Sequence, residues 1–189
     1  MPAIAAGILA TSAHAESEPA VPEERMVHPL YGMPAAPLPA RRNAVQAELG
    51  LGVIGLAYER TLTDRVALQL EAQTFGTWWG PFFELPRFSG FGGQIRPTFF
   101  VTNDAPRGVY IAPFFRGAAV SATANDVTGR GFGWSLGAFV GYAFMLGTRV
   151  NLRIGAGAQY MSYAVDAGTV RIEWKRLYPA LDLVVGYHF

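Results

Sequence analysis

Residues 131–148 read GFGWSLGAFVGYAFMLGT, eighteen residues without a charge. Two readings of this stretch compete. Gly133, Gly137 and Gly141 recur at the GxxxG spacing of packed transmembrane helices. A spacing of four is also a multiple of two, and every even position from Phe132 to Leu146 is apolar, most of them bulky. The odd positions are mostly small (Gly133, Ser135, Gly137, Gly141 and Ala143), with Phe139 and Met145 as exceptions. Each of the stretch's glycines would also weaken a helix by about 1 kcal/mol relative to alanine. A β-strand with one bulky face and one small face fits the pattern better.

The sequence on either side alternates in the same way, the mark of strands whose two faces meet different surroundings. In TRVNLRIGAGAQYMS, residues 148–162, Val150, Leu152, Ile154, Ala156, Ala158 and Tyr160 share one face, opposite Arg149, Asn151, Arg153 and Gln159. At the C-terminus Leu181, Leu183, Val185, Tyr187 and Phe189 oppose Asp182, Val184, Gly186 and His188. Upstream, Val66, Leu68, Leu70 and Ala72 oppose Gln69, Glu71 and Gln73. Phe91, Ile95, Phe99 and Val101 oppose Gln94, Arg96 and Thr98, and Val109, Ile111 and Phe115 oppose Ala112, Phe114 and Arg116. Val45, Ala47 and Leu49 oppose Gln46 and Glu48. Each frame follows the bulky apolar residues, and the charges fall on the other face.

Turn residues order these segments. Thr63-Asp64, residues 102–108 (TNDAPRG) and Leu146-Gly147 mark short turns, while 77–90, 121–131 and 163–174 are longer connections. Short and long connections alternate strictly, as the periplasmic turns and extracellular loops of a transmembrane barrel do. The apolar register switches from odd to even across Gly50-Leu51-Gly52, which admits either a very short hairpin or a bulge in one long strand over 43–62. An even strand count is favoured. The expected fold is all-β, an antiparallel up-and-down transmembrane β-barrel of about eight strands, at roughly 43–49, 53–62, 65–76, 91–101, 108–120, 132–145, 148–162 and 175–189.

A soluble barrel turns its apolar face inward and a membrane barrel turns it outward. The apolar faces here carry almost no polar side chains, a restriction that lipid enforces, because a charge at the bilayer midplane costs about 2–4 kcal/mol. Aromatics gather in two groups, Tyr58, Phe99, Tyr142, Phe144, Tyr187 and Phe189 near the turns and Phe91, Trp134 and Tyr160 near the loops, the placing of interfacial girdles. The chain also ends in LDLVVGYHF, alternating apolar residues that finish on an aromatic. That ending resembles the C-terminal assembly signal of bacterial outer-membrane barrels, and the body resembles small eight-stranded members of that class such as the OmpA transmembrane domain. LAYERTLTDR resembles a strand-turn-strand of uncharacterised proteins in the same group. The resemblance implies an outer-membrane location and recognition of Leu183, Val185, Tyr187 and Phe189 by the barrel-assembly machinery.

If the apolar face meets lipid, the other face fills the lumen. It carries Glu48, Glu59, Glu71 and Asp182 against Arg96, Arg116 and Arg153, with glutamines and Asn151 between them. An eight-stranded barrel is just wide enough for side chains to fill it. A near-balanced set of acids and forked guanidiniums is expected to pair into a plug, leaving a structural or surface-interaction protein in place of a small-solute channel. A lipid-modifying outer-membrane enzyme is the other alternative. It would need a nucleophile beside a base, and the only histidine in the barrel, His188, lies six residues from Asp182 on one strand, roughly 20 Å at the usual strand rise. The connection TWWGPFFELPRFSG is unusually aromatic, and Trp78, Trp79, Phe82, Phe83 and Phe88 are candidates for contact with an extracellular ligand, a partner or the outer leaflet.

The N-terminal region has a different character. Residues 1–15 are uncharged, rich in Ala, Ile and Leu, and end in Ala13-His14-Ala15, the cleavage pattern of a signal peptide, although without a basic n-region. Residues 16–42 hold six prolines and form an expected periplasmic linker ahead of a barrel at 43–189. With no cysteine there is no disulfide, thiolate metal site or cysteine nucleophile, and a net charge of +1 gives no basis for binding nucleic acid. His14, His28 and His188 are too scattered to suggest a metal site, and no cofactor is expected.

Overall fold

The computed structural model describes residues 42–76, 88–124, 127–167 and 170–189. In chain order the strands are β1 (Asn43–Gly50), β2 (Val53–Thr63), β3 (Val66–Gly76), β4 (Phe88–Phe100), β5 (Gly108–Ala124), β6 (Val127–Leu146), β7 (Val150–Ala167) and β8 (Val170–His188). Each pairs antiparallel with its sequence neighbour, and β1 pairs with β8 to close the barrel. Closure leaves no free sheet edge along the paired lengths, the condition lipid imposes on a spanning chain, and the β4–β5 ladder is interrupted only between Ile95/Phe115 and Phe99/Ile111, around Pro97 and Pro113. The eighteen uncharged residues lie almost wholly within β6, in extended conformation throughout.

Residues 43–62 form two strands. Leu51-Gly52 is the two-residue turn between β1 and β2, and Gly52 adopts φ 71°, a conformation in which a side chain is strained. The even and odd faces divide as the alternation requires. Leu56, Leu136, Val140, Ile154 and Val185 are exposed on the outside, each by more than half of its surface, while Gln69, Arg96, Ser135, Asn151 and Arg153 are fully buried inside. An apolar belt of this kind on the outside, with the polar groups inside, inverts the arrangement of a soluble barrel and is stable only in lipid.

Two connections differ from the sequence reading. The loops expected at 121–131 and 163–174 are mostly strand: β5 and β6 pair up to Ala124 and Val127, and β7 and β8 up to Ala167 and Val170. These upper segments lie past the lipid belt, where nothing selects for a strictly apolar outer face. Alternation fades there although the backbone ladder continues. Residues 1–41, with the expected signal peptide and nearly all of the linker, and the connection at 77–87 lie outside the described residues.

The register sets a stagger that shapes the upper edge. Following paired residues around the barrel leads from Leu183 through Leu49, Ile54, Thr74, Phe91, Ala119, Phe132 and Ala164 to Glu173, so the circuit returns to β8 ten residues above its start. At ~3.3 Å per residue and a tilt of about 40°, each residue climbs roughly 2.5 Å along the barrel axis. The lower strand ends are then nearly level. At the upper edge β1 and β2 stop roughly 20 Å below the tips of β5 to β8 on the same geometry.

Candidate functional site

Among the described residues every strand except β6 contributes a polar side chain to the interactions that cross the lumen. Glu48 on β1 is their centre: Arg96 Nη1 from β4 lies 3.2 Å from one carboxylate oxygen, and Arg116 Nη2 from β5 lies 2.9 Å from the other. The same Arg96 Nη1 donates to Asp182 of β8 at 2.7 Å, while its Nε donates to Gln69 of β3 at 2.6 Å. The Tyr110 hydroxyl donates to the second oxygen of Asp182. Gln69 and Gln94 in turn donate to Glu71 at 3.2 and 2.9 Å. Nearer the periplasmic end, Arg153 of β7 grips Glu59 of β2 with both Nη atoms, a fork-to-carboxylate geometry that lysine could not reproduce. The seven charged residues singled out in the sequence are thus all inside, and each is at most 6% exposed.

Aromatic rings fill the space that the charges leave. Phe114 and Phe139 stack with centroids 4.6 Å apart. The Arg116 guanidinium lies 4.4 Å from the centroid of Phe114, and that of Arg96 lies 5.6 Å from Phe139. Arg153 sits between Phe100 at 5.6 Å and Tyr110 at 5.9 Å. Cations desolvated against ring faces gain an electrostatic attraction worth about 2 kcal/mol or more each. The small face of β6 accommodates these rings. A side chain at Gly137 would strike the Phe114 ring, one at Gly141 the Tyr110 hydroxyl, and one at Gly133 the Tyr163 ring. The GxxxG spacing therefore serves aromatic side chains crossing the lumen.

The sequence reading did not include Tyr110, which closes the network on Asp182. Its signal was its parity with Ala112, Phe114 and Arg116, but one phenol among aromatics does not advertise a carboxylate partner on a strand 72 residues away. Phe88 corrects the surface reading. It begins β4 facing inward and is 3% exposed, with its ring 5.8 Å from that of Tyr163, because the strand starts before the expected position 91 and so takes Phe88 into the barrel wall. Trp78, Trp79, Phe82 and Phe83 lie outside the described residues. Leu183, Val185, Tyr187 and Phe189 form one outward file, each 39–54% exposed. Among the described residues no group of three or more His, Asp or Glu side chains could hold a metal ion.

The sequence matches no family model and no curated protein. Solved structures do resemble it. The N-terminal β-barrel domain of Pseudomonas aeruginosa OprF superposes with a TM-score of 0.51 at 13% identity, covering 78% of this chain and 96% of that one. Neisserial surface protein A gives a TM-score of 0.50 at 12% identity, over 78% and 93%. The Yersinia pestis outer membrane protein Ail gives 0.42 at 13% identity, over 78% and 99%. At this identity the likeness is one of fold. The fold and the lipid belt together define the class: a small, eight-stranded outer-membrane β-barrel.

Proposed function

We propose that this outer-membrane barrel is a closed one, acting as a structural or surface-interaction protein and not as an open pore or an enzyme. The observation that carries this reading is the network joining Glu48, Arg96, Arg116 and Asp182 across the lumen, with Phe114 and Phe139 stacked beside it. A conducting path would have to part buried, hydrogen-bonded charges, each separation costing several kcal/mol. Glu48, Glu59 and Asp182 are each paired with an arginine, so none of these three is a free general base facing a substrate, and Glu71 accepts from Gln69 and Gln94. Conductance across planar bilayers tests this directly: the refolded chain should give no steady, large, ohmic channel, and such a channel would refute the plug. Incubation with lipopolysaccharide and phospholipid should release no fatty acid.

The same reading assigns residues 1–15 to a cleaved export signal and 16–42 to a periplasmic linker, so the mature chain should begin at Glu16 on N-terminal sequencing. It assigns outward contact to the aromatic 77–87 connection. Replacing Trp78 and Trp79 by serine should impair binding to a surface partner while sparing folding. Loss of barrel stability in that variant would instead make the tryptophans part of the upper girdle.

A further inference from the structure

Above the charged plug the inner wall changes character. Phe88, Ala118, Val120, Tyr163 and Val165 form an apolar cluster, with Phe75, Met161 and Trp174 packed against it. Between this cluster and the plug lies a recess floored by Gln73, Arg116 and Gln159 and bounded on its low side by Leu51 and Gly52, the β1–β2 turn. That turn is the low point of the stepped upper edge. The outer apolar belt continues well above it, through Phe91, Phe132 and Leu177, which are all more than 60% exposed. Among the described residues no strand walls the recess over β1 and β2, at a height where the neighbouring strands still face lipid. On β8 the pairing with β1 ends at Leu183, so the residues above it line the gap. Arg176 is on the inner side of that unpaired length, exposed, with its guanidinium 5.1 Å from the Trp174 ring centroid. Lys175, Glu173 and Arg171 follow as the first charges above the belt on the outer side, which puts Arg176 at the level of lipid headgroups.

We propose that this recess is a lateral binding site for an outer-leaflet lipid with an anionic phosphate headgroup, one acyl chain passing over the Leu51-Gly52 rim and its phosphate meeting Arg176. Two features select this occupant. Among the described residues the recess, lined by Leu51, Gly52 and the outward-facing Trp134 and Pro179, opens over the low rim, and an apolar chamber with a cation near its mouth complements an anionic amphiphile. The chamber is narrow, a cavity of about 40 Å3, so a chain would displace the Met161 side chain, an unbranched thioether suited to repacking. The inference rests on the outer-membrane reading.

The test uses the full mature chain folded into phosphatidylcholine vesicles that contain phosphatidylglycerol with a diazirine midway along one acyl chain. Photolysis is followed by mapping of adducts on the folded, heat-modifiable band. Adducts on inward residues, Met161, Tyr178 or Phe75, are expected beside those on the outer belt. Moving the diazirine to phosphatidylcholine, or replacing Arg176 by glutamine, should lower the inward adducts roughly two- to fivefold, the scale of one partly exposed charge contact. Adducts confined to outward residues such as Phe132, Leu177 and Leu181 would overturn the lateral site while leaving the membrane barrel intact. Inward adducts insensitive to both changes would overturn the role of Arg176 and of the headgroup's net negative charge. Absence of any heat-modifiable band would overturn the membrane reading, and the site with it.

Discussion

Replacing Arg96 by methionine removes the cation that joins two acids. Its side chain is fully buried, and it donates to Asp182 at 2.7 Å and to Gln69 at 2.6 Å while lying 3.2 Å from Glu48. Methionine nearly fills the volume, so the loss is electrostatic and not a cavity. Glu48 keeps Arg116 at 2.9 Å, whereas Asp182 retains the Tyr110 hydroxyl and no cation partner of its own. Breaking a buried pair in this way costs about 3–5 kcal/mol, most of it from the stranded carboxylate. Removing that carboxylate as well, in Arg96→Met with Asp182→Leu, should restore part of the loss and yield a coupling of ~2 kcal/mol in a double-mutant cycle. Urea titration of vesicle-embedded protein, followed by tryptophan fluorescence and by gel mobility without boiling, measures all four corners of the cycle. A loss below about 1 kcal/mol for Arg96→Met, the scale of an exposed pair, or strictly additive single effects, would mean that the lumen is solvated and its charges act independently.

Three further outcomes follow from the same geometry. Leu136→Arg, on the lipid face of β6, should destabilise the vesicle-embedded barrel by about 2–4 kcal/mol, and urea midpoints in vesicles would measure the loss. Gly137→Ala places a methyl group against the Phe114 ring and the Ala158 carbonyl. It should cost about 1–3 kcal/mol as overpacking in the same assay; an unchanged midpoint would show that the inner face of β6 is not close-packed. Phe189→Ala should slow insertion in cells, seen as unfolded chain accumulating on unboiled gels, while refolding in detergent stays near wild type.

Most of the barrel was legible because lipid imposes a simple rule on one face. Leu152, Ile154 and Ala156 against Arg153 and Gln159 reveal both the strand and the direction of its faces, with no tertiary information. The lumen charges were legible by parity for the same reason. Their partners were not: nothing local in NLRIG connects Arg153 with Glu59, 94 residues away, in preference to Glu48 or Glu71. The upper halves of β5 to β8 escaped notice because Ser121, Arg130, Asp166 and Glu173 stand outside the belt, where polar and apolar residues are equally tolerated on the outer face. Phe88 was misplaced by the same loss of signal, since one aromatic beside an aromatic connection carries no phase of its own.

The long sequence reach of the ion pairs has a kinetic consequence. Arg96 and Asp182 are 86 residues apart, and Arg153 and Glu59 are 94. Asp182 meets Arg96 only when β8 closes against β1, so that clasp forms after most of the ladder exists. Contacts absent from the transition state stabilise by slowing escape from the native state and leave the forward rate almost unchanged. The network thus acts as a latch on a finished barrel, lengthening its lifetime in the membrane without hastening its assembly.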